Sequence, residues 1–368
     1  MSSTLAAELR KNLGPYGFVT GAEANIKHQQ DWSGLPRTVP LGVVYPRNTQ
    51  EVAQVIEHCQ RHHTPVVTQG GLTGLAGGAH PIEQGVVLST EKMCGVTHVD
   101  PVMGTLTAWA GTTLQDIQQA AEAAGLYFPI DLGSRGSCTI GGNLGSNAGG
   151  TQVLRYGNTR DLCLGLEVVT AQGDVWAGLS GLRKDNTGYD LRNLMIGSEG
   201  TLGIITAATM KLFPQPAATL TAWAAVPTVT AAVKLLGLAH QHLGASLTGF
   251  EMMNQYSLGL VNKHFAQMRI PLWNETPYCV LLENSDTESQ EHARARFEYL
   301  LEVAMQEGCV SDAVVAENLS QARNFWHIRE SITMAQAQEG LNIKHDISLS
   351  VSSIAAFVEK TDAQLAQE

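Results

Sequence analysis

Hydrophobic residues recur along the first half of the chain in short runs punctuated by glycine and proline. LGVVYP (41–46) is a run of strand length, and Val52, Val55, Ile56 and Cys59 then fall at i, i+3, i+4 and i+7, on one face of a helix. Asn48 precedes that pattern as an N-cap with Glu51 in capping-box position, and Pro65 ends it. Val66-Val67 begins a second strand, and a glycine-rich loop follows directly. VVLS (86–89) and LTAWA (106–110) predict further strands. Thr113 caps a helix bearing Leu114, Ile117, Ala121 and Ala124, with Gly125 as its C′ residue. LGLEVVT (164–170) and GDVWAG (173–178) predict a hairpin around Gln172-Gly173, and GTLGIITAATMKLFP (200–214) a turn into a long strand. Pro214 and Pro216 break the pattern. Beyond them strand-like AWAAVP (222–227) and YCVLLE (278–283) alternate with helical stretches at 228–243 and 288–307, as in a sheet covered by helices. The expected division is a lead-in over 1–35 (a short helix and a loop), a first domain over 36–214 and a second over 215–368.

Composition narrows the function. A chain of 368 residues at about 150 per domain supports two or three domains. The formal net charge of −11 argues against nucleic acid and anionic membranes as partners. Six scattered cysteines form no CxxC pair, which removes zinc ribbons and thioredoxin-type motifs and fits reduced thiols in a cytoplasmic protein. The N-terminus shows no basic-then-apolar signal. The most apolar stretch, 217–239, contains Trp223, Pro227 and Lys234 and falls short of the ~20 clean apolar residues of a membrane span, so an integral membrane protein is not expected.

Glycine, 37 residues in all, is clustered. QGGLTGLAGG (69–78) follows a strand and can turn backbone N–H groups toward an anion such as a pyrophosphate. No two glycines in the chain are two residues apart and no Gly-Lys dipeptide occurs, so the GxGxxG fingerprint and the Walker A loop are both absent. The alternative is a plain surface turn, for which five glycines in ten residues are dense. DLGSRGSCTIGGNLGSNAGG (131–150) interleaves seven glycines with Ser, Thr and Asn, and RKDNTGYDLRNLMIGSEGTLGIIT (183–206) adds Gly197, Gly200 and Gly203. Together the three segments look like a wall around an extended cofactor.

In that order, QGG-TGL-GG, DLGS-TIGGN-NAGG and NTGYDL-IGSEGTLGIIT resemble the FAD-binding domain of the vanillyl-alcohol-oxidase/PCMH superfamily. Within it the chain is similar to the D-2-hydroxyglutarate dehydrogenase branch and its D-lactate- and glycolate-oxidising relatives. Gln69, LRKDNTGYDL (182–191) and SCTIGGN (137–143) favour the hydroxyglutarate branch. The likeness is strong over 36–214, faint over 215–320 and sharp again over 325–351. It implies an α+β fold: a two-part PCMH-type FAD-binding domain, then an incomplete α+β substrate (cap) domain with an antiparallel sheet. It also implies non-covalent FAD, since the first loop has no His. Gly70, Gly71, Leu72, Thr73, Gly74 and Gly78 would hold the pyrophosphate side. Ser137, Gly141, Gly142, Asn143, Ser146, Asn147 and Gly150 would line the flavin and its chain. Glu199, Gly203 and Ile205 would complete the pocket. Leu72 stands where the branch leads one to expect Asn.

FWHIRESIT (325–333) places Arg329 and Thr333 four apart on one helix face, and Lys344 lies in IKHDISLSV (343–351). On spacing alone a solvated helix is the default reading. The resemblance reverses it and implies that Arg329, Thr333 and Lys344 bind carboxylate. The catalytic base and the divalent metal ligands that the resemblance implies are expected beyond Glu368, and no histidine present substitutes for them. The leading expectation is an FAD-dependent dehydrogenase taking a D-2-hydroxy acid, D-2-hydroxyglutarate first, to the 2-oxo acid and passing electrons to a protein or quinone acceptor. D-lactate and glycolate are alternatives within the family. A non-catalytic FAD-binding remnant and an NADPH-dependent enolpyruvyl reductase are alternatives of other classes. A homo-oligomer is left open.

Overall fold

The computed structural model describes residues 3–340 and 347–367, and its chain divides into two compact units. The first comprises the chain to Gly150 and Tyr156–Gln215, and the second comprises Thr151–Arg155 and the chain from Pro216.

In the first unit, strands β1 (Phe18–Thr20), β2 (Gly42–Val44), β3 (Val66–Gln69) and β4 (Val86–Ser89) form a sheet of order β1-β2-β4-β3. β4 pairs parallel with both β2 and β3, and β1 runs antiparallel at the edge. β2 and β4 are buried along their whole length, as inner strands of a parallel sheet are. Helix α1 (Ser3–Leu13) and helix α2 (Thr49–Arg61) cover one face. Leu5, Leu9 and Leu13 meet Val52, Val55, Ile56 and Cys59 in one core with Phe18, Val44 and Leu88. Leu5, Leu9, Leu13 and Phe18 from the expected lead-in thus belong to this unit's core. Asn48 caps α2 by accepting from Glu51 N–H, but the Glu51 carboxylate reaches back to Arg47 N–H at 2.8 Å, one residue earlier than a capping box requires.

The unit's second sheet is antiparallel, of order β5-β6-β10-β8-β9: β5 (Val96–Asp100), β6 (Thr105–Trp109), β8 (Cys163–Thr170), β9 (Val175–Gly178) and β10 (Gly203–Lys211). A two-residue pair, β7 (Leu126–Tyr127) with β11 (Phe213–Pro214), sits beside it. Helix α3 (Leu114–Ala123) begins at the Thr113 cap and ends before Gly125, which takes φ of 73°. The second glycine cluster is not an extended ribbon throughout. Its middle winds into the short helix α4 (Ile140–Gly145), capped by Thr139 Oγ1 accepting from Gly142 N–H. Helix propensity opposes this winding at Gly141 and Gly142. Packing of Ile140 and Leu144 into the core of α3 and the second sheet favours it. Short turns α5 (Val153–Tyr156), α6 (Thr159–Leu162) and α7 (Leu191–Met195) follow along the chain.

The second unit is a four-stranded antiparallel sheet of order β13-β14-β12-β15, from β12 (Ala218–Val226), β13 (Leu247–Asn254), β14 (Tyr278–Asp286) and β15 (Asp312–Val315). Alternation along β12 sorts its side chains: Leu220, Ala222 and Ala224 face α8 (Val229–Leu243) and α10 (Gln290–Gln306). Trp223 joins a separate core with α9 (Gln255–His264) and α11 (Leu319–Glu339) on the other face. Helix α12 (Ile354–Leu365) lies against α8.

Candidate functional site

The first glycine loop leaves β3 at Gln69, whose side chain is fully buried. Its Oε1 lies 2.8 Å from His28 Nδ1, and its Nε2 donates to the Ala79 carbonyl at 2.9 Å. One glutamine therefore ties the start of the loop to its end. A Cβ on Gly70 would lie 2.5 Å from Thr139 Oγ1, and one on Gly71 only 2.0 Å from the Ser137 carbonyl oxygen. The loop thus runs against the second cluster where no side chain fits. A Cβ on Gly78 would lie 2.7 Å from Glu199 Oε2 of the third segment. That segment is tied to α4 in turn: Gly197 N–H donates to the Leu144 carbonyl and Glu199 N–H to the Gly145 carbonyl, both at 3.0 Å. Arg160 N–H donates to Asn147 Oδ1 at 3.0 Å and its Nη2 to the Ile196 carbonyl at 2.5 Å, a second link between the same segments. Three segments that lie between residues 69 and 206 of the sequence converge in one unit.

Backbone strain gathers at the same place. Five non-glycine residues among those described have positive φ, and three are Leu72 (58°), Asn147 (49°) and Glu199 (51°). Asn147 is the residue after the C-cap of α4, where the left-handed form is common. Leucine at 72 has no such tolerance, so the departure from the expected Asn is conformational as well as chemical. On β10 the register against β8 slips between Ile205 and Ala207, a bulge that leaves Thr206 as the extra residue next to Gly203 and Ile205. Asn143 is buried within α4 and its Nδ2 has no hydrogen-bond partner among the described residues. Gly150 takes φ of 108° with the Asp131 carbonyl 2.6 Å from where a Cβ would be. Ser137, Gly142, Ser146 and Gly74 are exposed, Thr73 is half-buried, and Ser146 Oγ donates to the Gly142 carbonyl. Residues 69–82 contain no acid. An acid-free glycine loop, an orphan buried amide and main chain open to close approach fit FAD, whose middle is a pyrophosphate and whose ends are flat and polar.

A cavity of about 220 Å³ in the same unit is lined by Ile56, Cys59, Thr68, Val169, Gly200 and Gly203 among others. No residue of the first loop beyond Thr68 and none of the second cluster lines it, so it touches only the edge of the candidate cofactor wall. Burial pushes the Cys59 and Cys163 thiols up to about 12 and Cys279 to about 11. These thiols pack and do not react. Burial also lowers the pKa of His28, against the opposing effect of its hydrogen bond to Gln69 Oε1. Lys27 lowers it further and Glu91 raises it.

In the second unit Arg329 and Thr333 lie on α11, as the spacing predicted, with Arg329 half-buried and Thr333 exposed. Lys344 lies outside the described residues. The Arg329 guanidinium already has a partner. Its Nε and Nη2 both donate to Glu251 Oε2 of β13, at 2.9 and 2.7 Å. Glu251 carries no signal in the sequence, being 78 residues away in a strand that hydrophobic patterning did not mark. Three residues before Arg329, Trp326 Nε1 donates to the buried Glu283 carboxylate at 2.9 Å. Among the described residues no group of three or more His, Cys, Asp or Glu side chains could hold a metal ion. The same residues include no helix long and apolar enough to cross a membrane.

Residues 40–178 match the family described as FAD binding domain, and residues 215–368 that described as FAD linked oxidases, C-terminal domain. The chain is 37% identical over 343 residues to the D-2-hydroxyglutarate dehydrogenase of Xanthomonas citri pv. viticola, covering 93% of this chain and 71% of that one. It is 37% identical over 353 residues to the mitochondrial D-2-hydroxyglutarate dehydrogenase of Arabidopsis thaliana (96% and 63%) and 38% over 351 to that of Bos taurus (95% and 64%). It spans somewhat less than two thirds of the plant and mammalian relatives' length. Among solved structures it superposes on alkyldihydroxyacetonephosphate synthase with a TM-score of 0.76 at 18% identity, over 100% of this chain and 76% of that one. The superposition on substrate-bound p-cresol methylhydroxylase has a TM-score of 0.71 at 16% identity, over 87% and 68%. At such identity these two establish the fold. With the glycine wall, the two family matches and the identity to the bacterial relative taken together, the chain belongs to the D-2-hydroxyglutarate dehydrogenase family of FAD-linked oxidases.

Proposed function

We propose that the chain holds FAD non-covalently in its first unit and oxidises a D-2-hydroxy acid, D-2-hydroxyglutarate first, to the 2-oxo acid, with electrons passing on to a protein or quinone acceptor. The observation that carries the reading is the meeting of Gly70 and Gly71 with Thr139 and Ser137 at distances no Cβ could occupy. Bound FAD supplies the hydride acceptor for the substrate's α-hydrogen. The protein's own part is recognition. Backbone N–H groups of Gly70–Gly74 take the pyrophosphate, Asn143 Nδ2 offers one side-chain donor, and Gly203 and Ile205 contribute main chain from the bulged start of β10. Arg329 and Thr333 on α11, together with Lys344, bind substrate carboxylate. Six free cysteines, five of them buried, support a reducing compartment; the cytoplasm is the proposed one.

The test is an anaerobic addition of D-2-hydroxyglutarate to the FAD-loaded full-length protein, following the flavin's visible absorbance. Bleaching by the D but not the L enantiomer, and faster than by D-lactate or glycolate, is expected. Bound FAD that no hydroxy acid bleaches would identify a flavin-binding protein without this activity, and fast bleaching by NADPH would identify a reductase.

A further inference from the structure

We infer that Glu251 is a positioning residue for carboxylate recognition, holding the Arg329 guanidinium by one edge so that its other edge faces a ligand carboxylate. The inference rests on the reading of Arg329 as a carboxylate anchor. A guanidinium carries five N–H donors in a rigid plane. Glu251 Oε2 takes one from Nε and one from Nη2. Among the described residues three donors remain without an acceptor, two on Nη1 and one on Nη2, and the Nη1–Nη2 edge is the fork that pairs with a carboxylate through two parallel hydrogen bonds. A single acceptor oxygen on the Nε–Nη2 side thus fixes the plane without consuming the fork.

The surrounding structure holds Glu251 in place. It lies in the middle of β13, opposite Leu281 of β14. Two residues before it on the same face, a Cβ on Gly249 would come within 3.1 Å of the Trp326 ring, so α11 lies close against β13. Trp326 and Arg329 share α11 and reach carboxylates on adjacent strands, Glu283 and Glu251. Glu283 is itself fixed by Thr248 Oγ1 at 3.0 Å. Arg329 is 38% exposed, so without Glu251 its side chain would sample several rotamers, and ligand binding would have to order it. As a bare surface pair this bridge would contribute little. Its geometry assigns it to recognition.

The experiment measures glutarate, a dicarboxylate that cannot be oxidised, binding to the FAD-loaded chain by calorimetry. Glu251→Ala is expected to weaken binding about fivefold or more. Glu251→Gln keeps an acceptor oxygen and is expected to restore affinity to within about twofold of the parent. In an Arg329→Met background, Glu251→Ala is expected to change nothing further, because its effect passes through Arg329. Should the Ala variant not fold, Glu251→Asp, one methylene short, carries the same comparison. Unchanged or tighter binding by Glu251→Ala overturns the inference, as does an equal loss in the Arg329→Met background. Glutarate that fails to bind the parent, or binds Arg329→Met as well as the parent, overturns the anchor reading and this inference with it.

Discussion

Leu72 holds φ of 58° in the loop that would face the pyrophosphate, a conformation that costs a β-carbon-bearing residue about 1–2 kcal/mol. Leu72→Gly or Leu72→Asn should therefore raise stability by about 1 kcal/mol, read as an upward shift of the unfolding midpoint, with FAD affinity kept. Gly71→Ala should act the other way. Its methyl would meet the Ser137 carbonyl at 2.0 Å, backbone against backbone, and a loss of about 2 kcal/mol or more is expected, with FAD uptake abolished. His28 makes a pH prediction. Its imidazole is buried and its pKa lies below the usual 6.5, so the folded chain refuses a proton that the unfolded chain accepts. His28 thus favours the folded state above about pH 6.5, and stability falls as the pH drops below that toward the depressed value. Thermal unfolding from about pH 7 to about pH 5 should show this decline, and His28→Gln should flatten it. At this scale much was legible. Asn48, Thr113 and Gly125 act where local chemistry predicts, because a cap is decided by neighbours two or three residues away. The Gln69 tie to His28 and Ala79 was not legible, since nothing local in the sequence says which residue will close a loop from within.

At the scale of elements, α11 carries both described candidates for carboxylate binding, and its N-terminus rests on Asn318, whose side chain accepts from Gln321 N–H at 3.0 Å. Asn318→Ala should cost about 1 kcal/mol and Asn318→Gly only a few tenths, a contrast that chemical denaturation at constant m-value can read. The elements that hydrophobic pattern and punctuation marked, β2, α2, β3, β4, α3 and the β8–β9 hairpin, stand where they were expected. The elements it missed have physical reasons. β13 reads LTGFEMMN, with a glycine packed tightly against the Trp326 ring and a glutamate on a sheet face, and so breaks the alternation that identifies strands. α4 reads IGGNLG and forms against propensity because tertiary packing of Ile140 and Leu144 outweighs it. The bulge at Thr206 sits within a run of eight buried residues with no inside–outside alternation, and periodicity cannot reveal an inserted residue there.

At the scale of the whole molecule, each unit has its own core, and the cofactor reading concerns only the first. FAD binding the folded first unit stabilises it by mass action, about 2.7 kcal/mol when free FAD is a hundredfold above its dissociation constant. Added FAD should raise the unfolding midpoint of the parent and leave that of Gly71→Ala where it was. The chain's family was legible because its signal lies in the order of three glycine segments, each held by main-chain geometry that only glycine permits. The proposed carboxylate anchor was legible only in half, as Arg329 and Thr333, because Glu251 comes from a distant strand. The measurement that tests the central claim most directly is the flavin content of the purified chain and of Gly71→Ala, before and after denaturation. Stoichiometric FAD in the parent, released free on denaturation and missing from the variant, is the expected result. A parent that takes up no FAD, or a Gly71→Ala variant that binds it equally well, would contradict a cofactor cradled by backbone.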